Sequence, residues 1–389
     1  MSVVMQLLNR AYARTKPVLS WLAATFTVMV SIELTLQFVS SILTQQNISR
    51  VDGKIRHSTF QNEAWAPALF KEMYEVRLEY DQFLGWRSRE FNGDCINIDN
   101  NGFRKTVRFT NDSAVHTDTI LVFGGSSVWG VYVRDEYTIP SLLATLLHNR
   151  GRNPVVINCG ERGYTFTQNV IQLVLLLRSG YRPSKVVFID GCNDVYGAHR
   201  AGKAGLNGFV PEMDRFLQSI GHSYPRRVFD ATTEWITTKS IIGRNLQRVA
   251  DFVLNRKQAD HGTAQYSNAQ LLELSSAIIE NYIASHTLLA DLAGRYKFEY
   301  YCFLQPMIYT KATLTEEERT GDPKLNDPQF KFLFQTFYDT LEHRSLSNVY
   351  SLGNVLDREH ETYFLDFCHV TERANRLIAR KVFEVALSH

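Results

Sequence analysis

The sequence predicts an α/β protein: a three-layer α/β/α sandwich around a mainly parallel five-stranded sheet, preceded by an N-terminal transmembrane helix. From Ile120 onward, short and wholly apolar segments alternate with segments of helical periodicity. Strands buried on both faces, with helices between them, are typical of parallel sheets that are covered on both sides. A long apolar stretch near the N-terminus is the observation that predicts the membrane helix.

Five segments of strand length carry the sheet prediction, because each is apolar, apart from Ser351 in the last, and each is followed by glycine or polar residues. They are Ile120 to Phe123, Val155 to Ile157, Val186 to Ile189, Tyr300 to Leu304 and Val349 to Leu352. In such a sheet, ligands bind beyond the carboxyl ends of the strands. Functional side chains are therefore expected in the loops that directly follow these strands.

Helices are predicted from apolar periodicity and from residues suited to helix ends. Pro140 fits the first turn of one helix, and Thr167 can cap a second one that stops at Gly180. A third covers about Asn268 to Leu292, and the last begins at Thr371. This alternation of strands and helices gives the doubly wound sandwich.

The N-terminal part predicts a membrane anchor. Residues 1–17 form a cytoplasmic segment, and Val18 to Leu43 contains 26 residues with Glu33 as its one formal charge, which is long enough to span about 30 Å of hydrocarbon. Basic residues before it favour a cytoplasmic N-terminus. The chain is thus expected to be a single-pass membrane protein, with the bilayer as a partner and its large domain on the periplasmic or extracellular side.

Glu33 is unusual within this stretch, because a carboxyl in the bilayer is costly. Two interpretations stay open. Glu33 either marks contact with a membrane partner, or it is protonated or hydrogen-bonded locally.

Residues 44–118 are predicted to be a juxtamembrane linker followed by a small β-ribbon. The stretch from Trp65 to Leu78 is amphipathic, and Tyr80 to Phe109 contains short alternating runs with glycines. Residues 119–389 then form the main domain, with an insertion at about 196–267. An insertion of this length is either a lid or binding loop that shapes a substrate site, or a packing or disordered excursion.

Composition excludes several function classes. The 42 Lys and Arg residues almost balance the 40 Asp and Glu residues, with a net charge of +2, so no nucleic-acid partner is expected. The five cysteines are scattered without metal-ligand spacing. No metal and no cofactor are therefore expected, and the odd number of cysteines excludes complete intramolecular pairing, which favours buried free thiols.

Four motifs follow the predicted strands or precede the last helix. The first is Gly124-Gly125-Ser126-Ser127, where glycines permit a tight turn that exposes a serine hydroxyl. Taken alone, it fits a nucleophile, a phosphate cradle or an ordinary turn. The second runs from Asn158 to Tyr164, and the third is Gly191-Cys192-Asn193-Asp194. Glycine N–H and asparagine amide groups are suitable donors to an oxyanion.

The fourth motif is Asp366-Phe367-Cys368-His369. A carboxylate three residues before a histidine can accept its Nδ1–H and so fix the tautomer that serves as a base. A single histidine in this position is more often a helix cap. The combination of the four motifs favours a catalytic site over four unrelated structural features.

The order of these motifs resembles the SGNH/GDSL hydrolase family over about Ile120 to Leu387, with the insertion excluded. The resemblance implies an SGNH hydrolase-like, flavodoxin-like fold and a serine esterase. Carried over by position, it implies a catalytic triad of Ser126, Asp366 and His369 and an oxyanion hole formed by Ser126, Gly163 and Asn193. Gly125 departs from the family, whose name-giving motif has Asp there, although membrane-attached bacterial relatives often carry Gly-Gly-Ser.

The resemblance also implies a substrate class. An O-acyl ester, usually acetyl, on a cell-envelope carbohydrate is expected, cleaved through an acyl-enzyme intermediate. Lipid and thioester substrates also stay open, and two alternative functions remain at this point. A sugar acceptor in place of water gives an O-acyltransferase that modifies a surface polysaccharide, and loss of chemistry gives a catalytically silent glycan-binding scaffold.

Overall fold

The computed structural model describes residues 16–17, 20–21, 24–37, 57–109, 118–210, 266–357 and 361–388. The chain divides into two compact units. One comprises Met1–Val51 and Arg215–Gly262, and the other comprises Asp52–Asp214 and Thr263–His389.

Residues 24–37 of the first unit are helical, and Glu33 is buried while the other side chains from 24 to 36 are exposed. Glu33 Oε1 accepts a hydrogen bond from Gln37 Nε2 at 2.8 Å. In the described parts of the chain, no helix combines the length and the apolar character needed to cross a membrane. Residues 18–19, 22–23 and 38–43 of the predicted span lie outside the described residues, so the transmembrane helix stays a prediction.

The described residues of the second unit form nine strands, numbered in chain order. They are β1 (Leu78–Asp81), β2 (Gly85–Ser88), β3 (Phe91–Asn92), β4 (Asn97–Ile98), β5 (Thr119–Gly124), β6 (Val155–Asn158), β7 (Lys185–Asp190), β8 (Glu299–Leu304) and β9 (Val349–Ser351). The last five form one sheet in the order β6-β5-β7-β8-β9, and all of its neighbouring pairs are parallel. The prediction of a mainly parallel five-stranded sheet is confirmed.

Nine α-helices accompany these strands in the second unit's described residues. They are α1 (Ala66–Glu75), α2 (Ser126–Trp129), α3 (Ile139–His148), α4 (Phe166–Arg178), α5 (Cys192–Ala201), α6 (Asn268–Tyr296), α7 (Glu316–Thr320), α8 (Pro328–Arg344) and α9 (Glu372–Val382). Helix α9 packs on α3, whereas α6 packs on α4, α5 and α8. Right-handed crossovers from β5 to β6 and back to β7 place α3 and α4 on opposite faces of the sheet. Two helical layers therefore cover it.

Several local predictions differ from the structure. The cap of α4 is Thr165, whose side chain accepts from the Gln168 N–H while Gln168 bonds back to the Thr165 N–H. This reciprocal capping box fixes the helix start two residues before the predicted Thr167. Thr167 instead bonds through its hydroxyl to Ser285, at 2.9 Å.

Helices α5 and α8 were not predicted. The predicted insertion at 196–267 would begin inside α5, which continues to Ala201, and residues 211–265 of it lie outside the described residues. Helix α8 supplies the crossover from β8 to β9, and its buried face consists mainly of aromatic side chains at helical spacing. They include Phe330, Phe334 and Phe337.

The segment before the sheet forms two antiparallel pairs, β1 with β2 and β3 with β4. Arg104 connects it to the main domain. Its buried guanidinium pairs with Asp135 at 2.7 Å and donates to the carbonyl oxygens of Trp129 and Gly130. The C-terminal end of α2, the helix that begins with Ser126, is thereby fixed in place.

All five cysteines are buried and free, as expected from their spacing. Burial raises the pKa of the Cys95 thiol to about 11. Burial also raises the pKa of the Cys159, Cys302 and Cys368 thiols well above the usual value. These four thiols therefore stay protonated at neutral pH, which makes them poor nucleophiles.

Candidate active site

The turn from β5 into α2 presents two adjacent serines in different surroundings. Ser126 Oγ lies 2.7 Å from His369 Nε2. Ser127 Oγ instead accepts from Gln305 Nε2 at 3.0 Å and donates to the Cys368 carbonyl oxygen at 3.3 Å. Ser126, and not Ser127, is therefore bonded to His369. The sequence alone, with two adjacent serines, left this choice to the family resemblance.

His369 is held from its other side by Asp366. His369 Nδ1 lies 2.7 Å from Asp366 Oδ2, while Asp366 Oδ1 accepts from the backbone N–H groups of Cys368 and His369 at 2.9 and 2.8 Å. These backbone bonds fix the carboxylate before it meets the ring. Ser126, His369 and Asp366 thus form the continuous chain of hydrogen bonds that activates a serine nucleophile.

The charges in this chain shift both pKa values. Burial acts to lower the pKa of His369, but the Asp366 carboxylate outweighs it and raises that pKa well above its usual value. Burial likewise acts to raise the pKa of Asp366, but His369 and the two backbone donors hold it well below its usual range. Asp366 is therefore ionised at neutral pH and stabilises the imidazolium that forms when His369 accepts a proton.

A buried ion pair holds the loop that carries Asp366 and His369. Glu318 Oε1 accepts from the backbone N–H groups of Tyr363 and Phe364 at 2.9 and 3.0 Å. Lys311 Nζ bonds to both Glu318 oxygens, at 2.8 and 2.7 Å, and both side chains are almost fully buried. The strand-like bridge between Phe364 and Val370 closes the loop, so Asp366 and His369 lie at its tip.

Sequence reasoning missed Tyr132 as a part of this site. Its ring packs edge-on against the His369 ring, with centroids 5.7 Å apart and planes at 86°. Tyr132 has a φ of 67°, which is uncommon for a residue other than glycine and is found in functional sites held by their surroundings. No sequence signal marks this position, because tyrosine is not a residue typical of left-handed turns.

Asn193 is the second residue of α5, and its side chain reaches back across the site. Its Nδ2 donates to the Tyr164 carbonyl oxygen at 2.8 Å and lies against Gly125, where any Cβ would overlap it. In this structure a side chain at residue 125 would displace that amide, which favours glycine there. The amide has two N–H donors, and its one hydrogen bond to a described residue is that to Tyr164.

Gly163 supplies the other predicted donor. Its φ of 82° lies in the left-handed region, and an added Cβ would lie 3.0 Å from Phe209 Cε2. Within the described parts of the chain, nothing accepts a hydrogen bond from the backbone N–H of Ser126 or of Gly163. The structure thus brings Asn193 up to the serine turn and leaves all three predicted oxyanion donors with an unused N–H.

We expect Asn193→Ala to lower kcat by roughly 10²–10³-fold, about 2.7–4 kcal/mol, because it deletes one oxyanion donor. Gly125→Ala should give a smaller loss of the same kind, since the new methyl group pushes the amide aside without deleting it. Steady-state kinetics on a chromogenic ester, beside thermal unfolding, measures both effects. A Gly125→Ala enzyme with wild-type kcat would show that the close approach has no catalytic role.

The β1–β2 hairpin supports the loop that contains Gly163. Ser88 donates to Glu161 through its backbone N–H at 2.5 Å and its hydroxyl at 3.0 Å. Trp86 Nε1 donates to the Arg162 carbonyl oxygen at 2.9 Å, and the Tyr164 hydroxyl donates to the Trp86 carbonyl oxygen. The β1–β2 hairpin therefore fixes the loop that contains Gly163 from outside the α/β domain.

Asp366, Cys368 and His369 also bring three metal-ligating atoms within 4.8 Å of one another. Asp366 Oδ2 and His369 Nδ1 are only 2.7 Å apart. Two ligand atoms that each lie about 2.0–2.2 Å from one ion are farther apart than this. Burial also raises the pKa of the Cys368 thiol well above its usual value. The group fits a hydrogen-bonded pair better than a metal centre.

Comparison with known proteins gives weak similarities. No protein-family model matches the sequence, and no curated protein matches it either. Similar solved structures include a member of the lipolytic G-D-S-L family from Veillonella parvula (13% identity, TM-score 0.38, 69% of this chain and 98% of that one). Others are a carbohydrate acetylesterase family member from Sinorhizobium meliloti (14%, 0.32, 69% and 97%) and an acetyl-xylooligosaccharide esterase from Geobacillus (12%, 0.36, 69% and 93%). Similarities at this level carry no argument about activity, which must rest on the site's geometry.

Proposed function

We propose that the chain is a serine esterase of the SGNH/GDSL type. The observation that carries the proposal is the hydrogen-bonded chain from Ser126 through His369 to Asp366, with both distances at 2.7 Å. A phosphate-binding loop would not require a histidine on its serine hydroxyl. A structural turn would not require a buried carboxylate behind that histidine.

The residues account for each step of ester cleavage. His369 takes the Ser126 proton as Oγ attacks the ester carbonyl, and Asp366 stabilises the resulting imidazolium. The backbone N–H groups of Ser126 and Gly163 and the Asn193 amide stabilise the oxyanion. His369 then gives its proton to the leaving alcohol, and water activated by the same base releases the acid and restores Ser126.

We propose an O-acetyl ester of a cell-envelope carbohydrate as the substrate, as the family resemblance implies. An O-acyltransferase needs the same nucleophile and differs only in the acceptor of the acyl group. A silent glycan-binding scaffold would have no need of an aligned triad. The aligned triad therefore favours an enzyme acting on acyl esters over the scaffold, and we propose water as the acceptor, which makes it an esterase.

Two measurements test the proposal together. Labelling by a fluorophosphonate should mark the folded protein at Ser126, and a panel of acetylated glycans should release acetate. Transfer to added sugar acceptors in place of free acetate would identify the acyltransferase. Folded protein that neither reacts with the fluorophosphonate nor cleaves any ester would support the scaffold and refute the esterase.

We also propose that residues 18–43 anchor the protein in a membrane, with residues 1–17 in the cytoplasm and the catalytic domain outside it. The support is the apolar stretch with Glu33 as its one formal charge. A reporter that is active only outside the cytoplasm, fused after His389, should give a signal. A signal from a cytoplasm-specific reporter at the same point would overturn this orientation.

A further inference from the structure

Lys324 lies beside the proposed active site with an unusual set of neighbours. Its Nζ is 4.1 Å from the centroid of the Tyr196 ring and 4.5 Å from that of Phe367. The two rings are themselves 5.8 Å apart. The ammonium group therefore lies between two aromatic faces, both of which attract a cation.

Both rings belong to elements that carry the catalytic site. Phe367 lies between Asp366 and His369 in sequence, so its Cα is at most about 7 Å from that of His369. Tyr196 follows Asn193 by three residues in α5, which places the two side chains on the same helix face, about 5–6 Å apart at Cβ. Lys324 thus contacts one ring from the loop that carries the proposed base and one ring from the helix that carries the proposed oxyanion amide.

The backbone of Lys324 is fixed from both sides. Its N–H donates to Asp322 Oδ1 at 2.9 Å, and its carbonyl oxygen accepts from the Tyr309 hydroxyl at 2.6 Å. Asp322 Oδ2 also accepts from the Phe367 N–H, at 3.4 Å. This arrangement holds the half-buried lysine in one place relative to the triad loop.

No carboxylate in the described residues forms an ion pair with Lys324. Asp322 instead bonds to backbone N–H groups, and Asp327 caps α8 through the N–H groups of Gln329 and Phe330. A fixed cation that forms no ion pair with a described residue, held by the elements that carry the proposed site, can bind an anionic group of a substrate.

From this geometry, and resting on the proposed esterase function, we propose that Lys324, with Tyr196 and Phe367, forms a subsite for an anionic group of the substrate. The substrate would be an O-acylated sugar that carries a carboxylate or a phosphate close to the ester. The two aromatic faces would hold the ammonium group in place, and the ammonium group would pair with the charge of the substrate.

Kinetics on three substrates tests the subsite: acetylated oligogalacturonides, which carry carboxylates, acetylated mannose 6-phosphate, and neutral acetylated xylo-oligosaccharides. Lys324→Met keeps the aliphatic stem but removes the charge. It should raise KM for the preferred anionic substrate by roughly 10- to 100-fold, the effect of losing one charged hydrogen bond, with little change for the neutral one. The anionic substrate that responds identifies carboxylate or phosphate.

Lys324→Arg should restore much of the preference, because it keeps a cation over the two rings. Lys331→Met, at an exposed position of α8, is the matched control and should leave every KM unchanged. In the wild type, raising the salt concentration should raise KM for the anionic substrate only. This effect can be measured even if Lys324→Met does not fold.

The outcomes separate the two proposals. Equal KM changes for neutral and anionic substrates, or no salt-sensitive preference in an enzyme that cleaves neutral esters through Ser126, would overturn the anionic subsite and leave the esterase intact. If no ester is cleaved, the esterase fails instead. Calorimetry then tests the subsite independently of catalysis. It compares the binding of unacetylated oligogalacturonide and mannose 6-phosphate to wild type and to Lys324→Met.

Discussion

Ser126→Ala should abolish ester hydrolysis, with a fall in kcat of roughly 10⁶-fold. The substitution removes the oxygen that becomes acylated, and His369 then has no nucleophile to activate. Because Ser126 is a small, partly exposed residue in a turn, the free energy of unfolding should change little. Steady-state kinetics, fluorophosphonate labelling and thermal unfolding on the same preparation measure the three quantities.

Ser127→Ala is the matched control, since it removes the neighbouring hydroxyl. Ser127 is bonded to Gln305 and to the Cys368 carbonyl, not to His369. We expect it to keep labelling and most of its activity. The nucleophile assignment would be wrong by one residue if Ser127→Ala were inactive while Ser126→Ala turned over at the wild-type rate.

Asp366→Asn should lower kcat by up to about 10⁴-fold while the protein stays folded. An amide in this position can donate to His369 Nδ1, which favours the tautomer with its proton on Nε2. That tautomer cannot accept the proton of Ser126. The loss should appear in kcat far more than in KM, because substrate binding does not involve Asp366.

The same variant should shift the pH dependence. The neutral form of His369 is the base, so the rate rises as pH passes upward through its pKa. The Asp366 carboxylate raises that pKa well above the ordinary value, and the acidic limb of the wild-type profile should accordingly lie above pH 6.5. Without the carboxylate, burial lowers the pKa, and the limb should move to lower pH.

Measuring kcat/KM against pH for wild type and Asp366→Asn checks this sign. Asp291→Asn, at an exposed position of α6, controls for the loss of a carboxylate elsewhere and should leave the profile unchanged. An unshifted acidic limb in Asp366→Asn would show that another group controls the rate, and the triad role of Asp366 would have to be abandoned.

Local sequence was sufficient for the sheet and for the identity of the chemical groups. Strands of a covered parallel sheet are largely apolar, so all five were visible as apolar segments, including the half-buried edge strands β6 and β9. The carboxyl ends of parallel strands meet at one edge, which predicted that the loops with Ser126, Gly163 and Asn193 would converge. Asp366 and His369 lie three residues apart, so their pairing is also largely a local property.

Tertiary structure decided what depends on contacts between distant residues. The choice between Ser126 and Ser127 follows from which hydroxyl faces His369, more than 200 residues away in the chain. The need for glycine at 125 comes from the Asn193 amide, and the place of Tyr132 beside His369 comes from packing alone. Sequence periodicity reports which face of an element is buried; it does not report which distant side chain lies against that face.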